Sequence, residues 1–140
     1  MNSLQLSYQN QCIVLNVDMG VGIGGDRWPA ANVFCEYISS EDHMKFYSSF
    51  LESKTVIELG SGTGLVGILI SKLFSPLNVV VTDQESHMEL IASNLLLNNA
   101  SLCKAETLDW KSIKEQGSRK YDVIVAMEWY VFFVNNYLFP

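Results

Sequence analysis

Four glycines, Gly60, Gly62, Gly64 and Gly67, crowd into the stretch VIELGSGTGLVGI at residues 56–68, with Glu58 just ahead of them. Glycine lacks Cβ, so such a run after an apolar strand lets main chain approach a ligand closely. A helix beginning near Leu65 would aim its first N–H groups at the same point. Gly62 to Gly67 satisfies a GxGxxG pattern, and Asp83 follows Gly62 by 21 residues. That spacing suits a carboxylate accepting from both hydroxyls of a ribose. A dinucleotide is one guest the pattern admits, and a cationic adenosine cofactor is another. Glu58 favours the second, because a carboxylate at the strand end repels a pyrophosphate. It would attract an ammonium or sulfonium by about 1 kcal/mol or more. Asp83 does not separate the two guests, since each carries a ribose. Walker-type phosphate binding is excluded, as no Gly-Lys-Ser/Thr follows the loop.

Other chemistry is sparse. No Ser-His-Asp or Cys-His arrangement is visible, and no cluster of residues has metal-ligand spacing, so no metal is expected. His43 and His87 stand alone in polar surroundings and read as solvated surface residues. Cys12, Cys35 and Cys103 lie far apart without CxxC spacing, which reads as three reduced, buried thiols. Gly67 reads as a helix-packing glycine, and Asp83 doubles as a candidate N-cap for the helix after it.

These residues need strands and helices to position them. Leu4–Tyr8 and Cys12–Val17 predict two short strands joined by a turn at Gln9–Gln11, and residues 18–26 a glycine-rich loop. Pro29 suits the first turn of a helix over 29–39, whose apolar Ala30, Val33, Phe34, Tyr37 and Ile38 follow helical spacing. Residues 41–52 form a second short helix or an irregular link. Thr55–Leu59 predicts a strand, Leu65 to Phe74 a buried helix stopped by Pro76, and Val79 to Asp83 a second strand. Residues 85–98 predict a helix with Met88, Ile91, Ala92, Leu95 and Leu96 on its apolar face. A weak strand follows at Lys104–Leu108 and a strongly apolar one at Tyr121–Ala126. Strands alternating with helices predict an α/β fold, a Rossmann-like parallel sheet with flanking helices, preceded by a short β-hairpin. One domain over 1–140 is expected, with hairpin and loop in 1–27 and the cofactor-binding core in 28–140.

Composition agrees with one globular domain, 49% hydrophobic and 17% charged over 140 residues. A formal net charge of -6 gives no general attraction for nucleic acid or an anionic membrane, and suits a basic protein partner. The first residues, MNSLQLSYQNQ, lack a basic stretch and an apolar core, so no signal peptide is expected. No apolar run approaches the ~20 residues that span a bilayer. A cytoplasmic setting is expected, with the nucleus as an alternative.

The order of motifs carries a resemblance. Glu58-Leu59-Gly60-Ser61-Gly62-Thr63-Gly64 resembles motif I of the seven-stranded S-adenosylmethionine-dependent methyltransferases. Trp28-Pro29-Ala30-Ala31, Val81-Thr82-Asp83, Leu108-Asp109-Trp110 and Tyr121-Asp122-Val123-Ile124 follow in the order of the small protein-lysine methyltransferases. Their targets are elongation factors and molecular chaperones, and the similar branch includes the valosin-containing-protein lysine methyltransferase and fungal elongation-factor methyltransferases. The resemblance covers roughly residues 4–131. It implies S-adenosyl-L-methionine as cofactor and a protein lysine as methyl acceptor. It also implies that Gly60, Gly62 and Gly64 line the methionine and ribose portion, that Asp83 binds the ribose, and that Trp110 lies near the adenine. Trp28 would lie near the methionine end, with Glu58 and the backbone of Ala126 close to the aminoacyl group.

The pattern departs from the family after the fourth strand. Where the family carries Asp-x-x-Tyr, this chain reads Glu128-Trp129-Tyr130-Val131, which keeps an acid at Glu128 as the candidate catalytic residue. The family continues through three more strands, whereas this sequence runs on as VFFVNNYLFP, so the domain is expected to be incomplete at its C-terminus. Two other readings follow: a remnant without catalysis that binds a partner, and, from Gly62–Gly67, a dinucleotide-dependent oxidoreductase.

Overall fold

Two β-branched runs form the centre of the sheet. In the computed structural model, which describes residues 2–110 and 120–127, β3 (Thr55–Leu59) and β4 (Asn78–Asp83) pair in parallel, with Val56 opposite Val79 and Leu59 opposite Thr82. Both strands are buried nearly throughout, as a sheet covered on two faces requires. Their connection is α3 (Leu65–Leu73), whose first six residues are all buried. Gly67 is why α3 can lie so close. A methyl there would sit 2.2 Å from Val81 Cγ1.

β5 (Cys103–Thr107) extends the sheet beyond β4, and β6 (Val123–Ala126) pairs with the other side of β3. Strand order is therefore β5-β4-β3-β6, so its direction reverses between β3 and β6. A crevice opens at such a reversal, beyond the carboxyl ends of the strands. Asp122 sets the register of β6: its Oδ2 accepts from Thr55 N at 2.8 Å and Thr55 Oγ1 at 2.7 Å. Ile124 on β6 is 66% exposed, at the edge of the described sheet.

The hairpin of β1 (Asn2–Tyr8) and β2 (Gln11–Val17) forms a separate two-stranded sheet that packs on α3 and α4 (Met88–Leu97). Ile13 and Leu15 are fully buried. Asn94 and Asn98 then supply the polar partners for β2. Asn94 bonds Asn16 through both N and O, and Asn98 does the same for Val14, at 2.7–3.0 Å. Two amides thus satisfy four backbone groups on a strand edge.

The two remaining helices are α1 (Pro29–Ser39), as expected from sequence, and α2 (Glu41–Leu51), where helix and irregular link were both open. Several expectations are corrected. In α1, Phe34 and Ile38 of the expected face pack into the core, but Val33 and Tyr37 are exposed and Cys35 and Ser39 are buried, because contact with α3 shifts the buried stripe. Residues 85–87 form a 3-10 turn rather than the start of α4, and Leu96 and Ala92 face outward while Leu90, Ile91 and Asn94 are buried. Cys12 is exposed and Cys103 half-buried, so only Cys35 is the buried thiol anticipated for all three. Among the described residues no helix is long and apolar enough to cross a membrane.

Candidate cofactor site

The glycine loop is held in place by its own strand ends. Ser61 N donates to Thr82 O at 2.8 Å, Thr82 N donates to Ser61 Oγ at 3.0 Å, and Thr82 Oγ1 donates to Glu58 O at 2.6 Å. The loop's bend needs left-handed backbone, with φ of +64° at Gly60 and +55° at Gly62. Gly62 is also crowded, since a Cβ there would lie 2.7 Å from Gly24 O. Its N–H donates to Asp83 Oδ2 at 2.8 Å, so the acid ending β4 fastens the loop after β3.

Above this loop lies a cavity of about 550 Å³ at the reversal of strand order. Trp28, Glu58, Gly60, Gly62, Asp83 and Trp110, all singled out from sequence, line it together. Trp28 donates from Nε1 to Ile23 O at 3.0 Å, which fixes its ring beside the glycine-rich turn. Trp110 is 37% exposed and lies over Gly60, with its Cζ2 3.6 Å from where a Gly60 Cβ would be. Gly64 is not among the lining residues; it begins α3 with φ +80° and its missing Cβ would face Ile91. Ala126 pairs with Leu59, and its neighbour Met127 forms that part of the wall. Glu128 lies outside the described residues.

Glu58 is only 4% exposed, and its Oε2 accepts from Gly67 N at 2.9 Å. Burial pushes its carboxyl up to about 8, against the pull of the Gly67 N–H. At neutral pH it is therefore largely protonated, which weakens the expectation that Glu58 alone repels a pyrophosphate. The wall makes that case instead. Asp26, Asp83 and Asp109 are three further acids on the cavity, and among the described residues no lysine or arginine lines it. Phosphate sites need cations or convergent amides, so this wall suits a cationic guest.

Sequence reasoning missed the N-terminal turn and a histidine. Val21, Gly22, Ile23 and Gly24 roof the cavity, held by Asp18 N donating to Gly25 O at 2.8 Å. His87, expected on the surface, is 7% exposed and lines the cavity with Nδ1 3.2 Å from Asp83 Oδ1. It is buried because the 3-10 turn at Glu85–His87 rolls its ring back over Asp83. Asp83 is not the N-cap either: Gln84 precedes the 3-10 turn and His87 stands at the N-cap of α4, neither with a side-chain cap bond. A signal was present: His87, Ile91, Asn94 and Asn98 recur at helical spacing, and all four are buried. His43 is half-buried rather than solvated, stacked on Tyr37 with ring centroids 3.8 Å apart.

Residues 7–135 match the family described as lysine methyltransferase. The chain belongs to the lysine methyltransferase family. Among similar proteins, protein N-lysine methyltransferase METTL21A of Xenopus tropicalis is 32% identical over 133 residues, 91% of this chain and 57% of that protein. EEF1A lysine methyltransferase 3 of Xenopus tropicalis is 32% identical over 110 residues, 77% and 46% respectively. Protein-lysine N-methyltransferase EFM6 of Saccharomyces cerevisiae is 38% identical over 86 residues, 55% and 35%. The chain thus spans between about a third and somewhat over half of the relatives it matches. A putative SAM-dependent methyltransferase of Streptococcus mutans shares the fold, with a TM-score of 0.56 at 12% identity over 87% of this chain and 31% of that one.

S-adenosyl-L-methionine is the cofactor that goes with this family. The cavity fits it: a glycine loop without side chains, a buried acid at one end, a carboxylate at Asp83 and an indole over Gly60. An acid wall without lysine or arginine among the described lining residues matches a cofactor that carries an ammonium and a sulfonium.

Proposed function

We propose that this chain transfers a methyl group from S-adenosyl-L-methionine to the Nζ of a lysine in a protein substrate of the elongation-factor or chaperone type. The observation that carries the reading is the acid-walled cavity over the glycine loop, in a member of the lysine methyltransferase family. Similar proteins named for N-lysine methylation, one of them for EEF1A, support the substrate class. The net charge of -6 supports a basic, lysine-bearing partner rather than nucleic acid or an anionic membrane. Three free cysteines support a reducing compartment, which we take to be the cytoplasm.

In this reading Asp83 takes a ribose hydroxyl while its other bonds hold Gly62 and Gln84. Trp110 supplies a stacking face for the adenine, and Gly60 and Gly62 keep the loop low enough for the cofactor to lie on it. Glu58 offers its carboxyl to the aminoacyl end, with Trp28 and the backbone of Ala126 beside it, and Gly64 sets the start of α3. When bound, the cofactor supplies an activated methyl on a positively charged sulfur, a good leaving group. The chain must therefore do little beyond positioning: hold a neutral lysine amine about 3–3.5 Å from that carbon and exclude water. A protonated lysine has no lone pair to attack with, so its proton must leave first, and Glu128 is the acid assigned to orient the amine.

Calorimetry with S-adenosylhomocysteine tests the cofactor assignment. Binding is expected for the folded chain, weakened about tenfold or more by Asp83→Ala, which deletes the loop's anchor. A well-folded chain that does not bind, or an unaffected variant, overturns it. Tritiated donor with a cell extract tests the transfer: a labelled protein band is expected. Binding without labelling favours the partner-binding reading. Tight NADH binding, against this acid wall, would restore the oxidoreductase.

A further inference from the structure

We propose that His87 is a positioning residue of the cofactor site, which holds Asp83 so that one carboxylate lone pair faces the cavity for a ribose hydroxyl. The inference rests on the cofactor reading above and adds a residue that the glycine-loop pattern does not contain. A carboxylate has about four acceptor sites. Asp83 spends one on Gly62 N at 2.8 Å and one on Gln84 N at 2.7 Å, and His87 Nδ1 lies against it as an ion-pair contact at 3.2 Å. The first bond uses Oδ2, while the second bond and the His87 contact fall on Oδ1, which leaves an Oδ2 site for a ligand.

His87 decides where that last site points. A carboxylate oxygen can only accept, so this 3.2 Å contact is favourable with an N–H at His87 Nδ1, the nitrogen that also hydrogen-bonds Ser86 Oγ at 3.2 Å. The opposite nitrogen, Nε2, is buried and has no hydrogen-bond partner. It abuts Gly24, where a Cβ would approach to 2.6 Å, so only a glycine admits the ring. A residue serving packing alone would be apolar, with no unpaired nitrogen to bury. The imidazole is instead clamped between the roof turn and Asp83, which stops the carboxylate from swinging away from the cavity.

Amide substitutions separate the two nitrogens. His87→Asn keeps an N–H near the place of Nδ1 and removes the orphaned Nε2, whereas His87→Gln keeps a polar group near Nε2 and loses the contact with Asp83. Calorimetry is run with S-adenosylhomocysteine and its 2′,3′-dideoxy analogue, after circular dichroism and an unfolding midpoint confirm folding. The wild-type chain should bind the analogue about tenfold more weakly than the parent. In H87Q the parent should weaken about tenfold and the analogue's penalty should shrink below about twofold. H87N should retain the wild-type pattern. His87→Leu carries the same expectation as H87Q and replaces it should H87Q not fold. A merely structural histidine would weaken parent and analogue alike, so an unchanged analogue penalty in H87Q or H87L overturns the proposal. No binding of S-adenosylhomocysteine by the wild type would instead overturn the cofactor reading itself.

Discussion

Replacing Glu58 by glutamine tests the buried acid directly. Burial raises its carboxyl from an ordinary 4.5 to about 8. The sign follows from proton counting. Between those values the folded chain binds a proton that the unfolded chain has released, so stability falls as pH rises. The contribution is fully present below about pH 4.5 and lost by the time pH passes about 8. A displacement of about 3.5 at about 1.4 kcal/mol each gives at most about 5 kcal/mol. Against a typical total of about 5–15 kcal/mol, that is a large part of the stability. Glutamine has the same shape, does not ionise, and can still accept the Gly67 N–H through its amide oxygen. Urea unfolding of wild type and E58Q is measured from pH 5 to pH 8.5, which avoids Cys35, whose ordinary value is 9.0 and which burial raises further. Wild-type stability relative to E58Q is expected to drop by about 2–4 kcal/mol over that range. Parallel curves for the two proteins would refute the reasoning, because nothing else in the substitution titrates.

Other expectations follow from the same contacts. A cofactor ammonium meeting Glu58 should re-ionise it, so calorimetry of S-adenosylhomocysteine near pH 7 should show proton release that disappears in E58Q; buffers of different ionisation enthalpy report it. Gly67→Ala, whose methyl would press on Val81 Cγ1 and Glu58 Oε2, should cost about 1–3 kcal/mol by denaturant unfolding. Asn94→Ala leaves Asn16 N and O and Thr63 O without their partner and should cost about 2–4 kcal/mol, with amide exchange rising first along β2. Trp110→Ala should weaken S-adenosylhomocysteine about tenfold with little change in unfolding midpoint, since the ring is partly exposed.

Much of the fold was legible because its signals are local. Apolar β-branched runs marked β3, β4 and β6, proline marked the start of α1, and the bounds of β3 and α1 agree with the residues expected. The loop at Gly60–Gly64 was legible for the same reason, since positive φ is a property of a residue and its neighbours. Helix faces were less so. In α4 the count of apolar residues also pointed at Ala92 and Leu96, which face outward, while a strand edge needing hydrogen bonds lay against Asn94 and Asn98. Glu58 was found for its charge, whereas its burial, which raises its carboxyl, depends on what packs around it.

By itself the sequence determined which residues could make a cofactor loop, the order of strands and helices along the chain, and the resemblance that named the chemistry. Those follow from residue type and spacing, which backbone geometry translates directly. Only the tertiary structure decided that β6 lies beside β3, which creates the crevice, and that four acids meet there without a lysine or arginine among the described lining residues. It also decided that Asp83 bonds Gly62 across 21 residues and that His87, one turn on, lies against the same carboxylate. Distances between segments remote in sequence are set by packing, and burial and charge at a site are sums over neighbours that no single stretch contains.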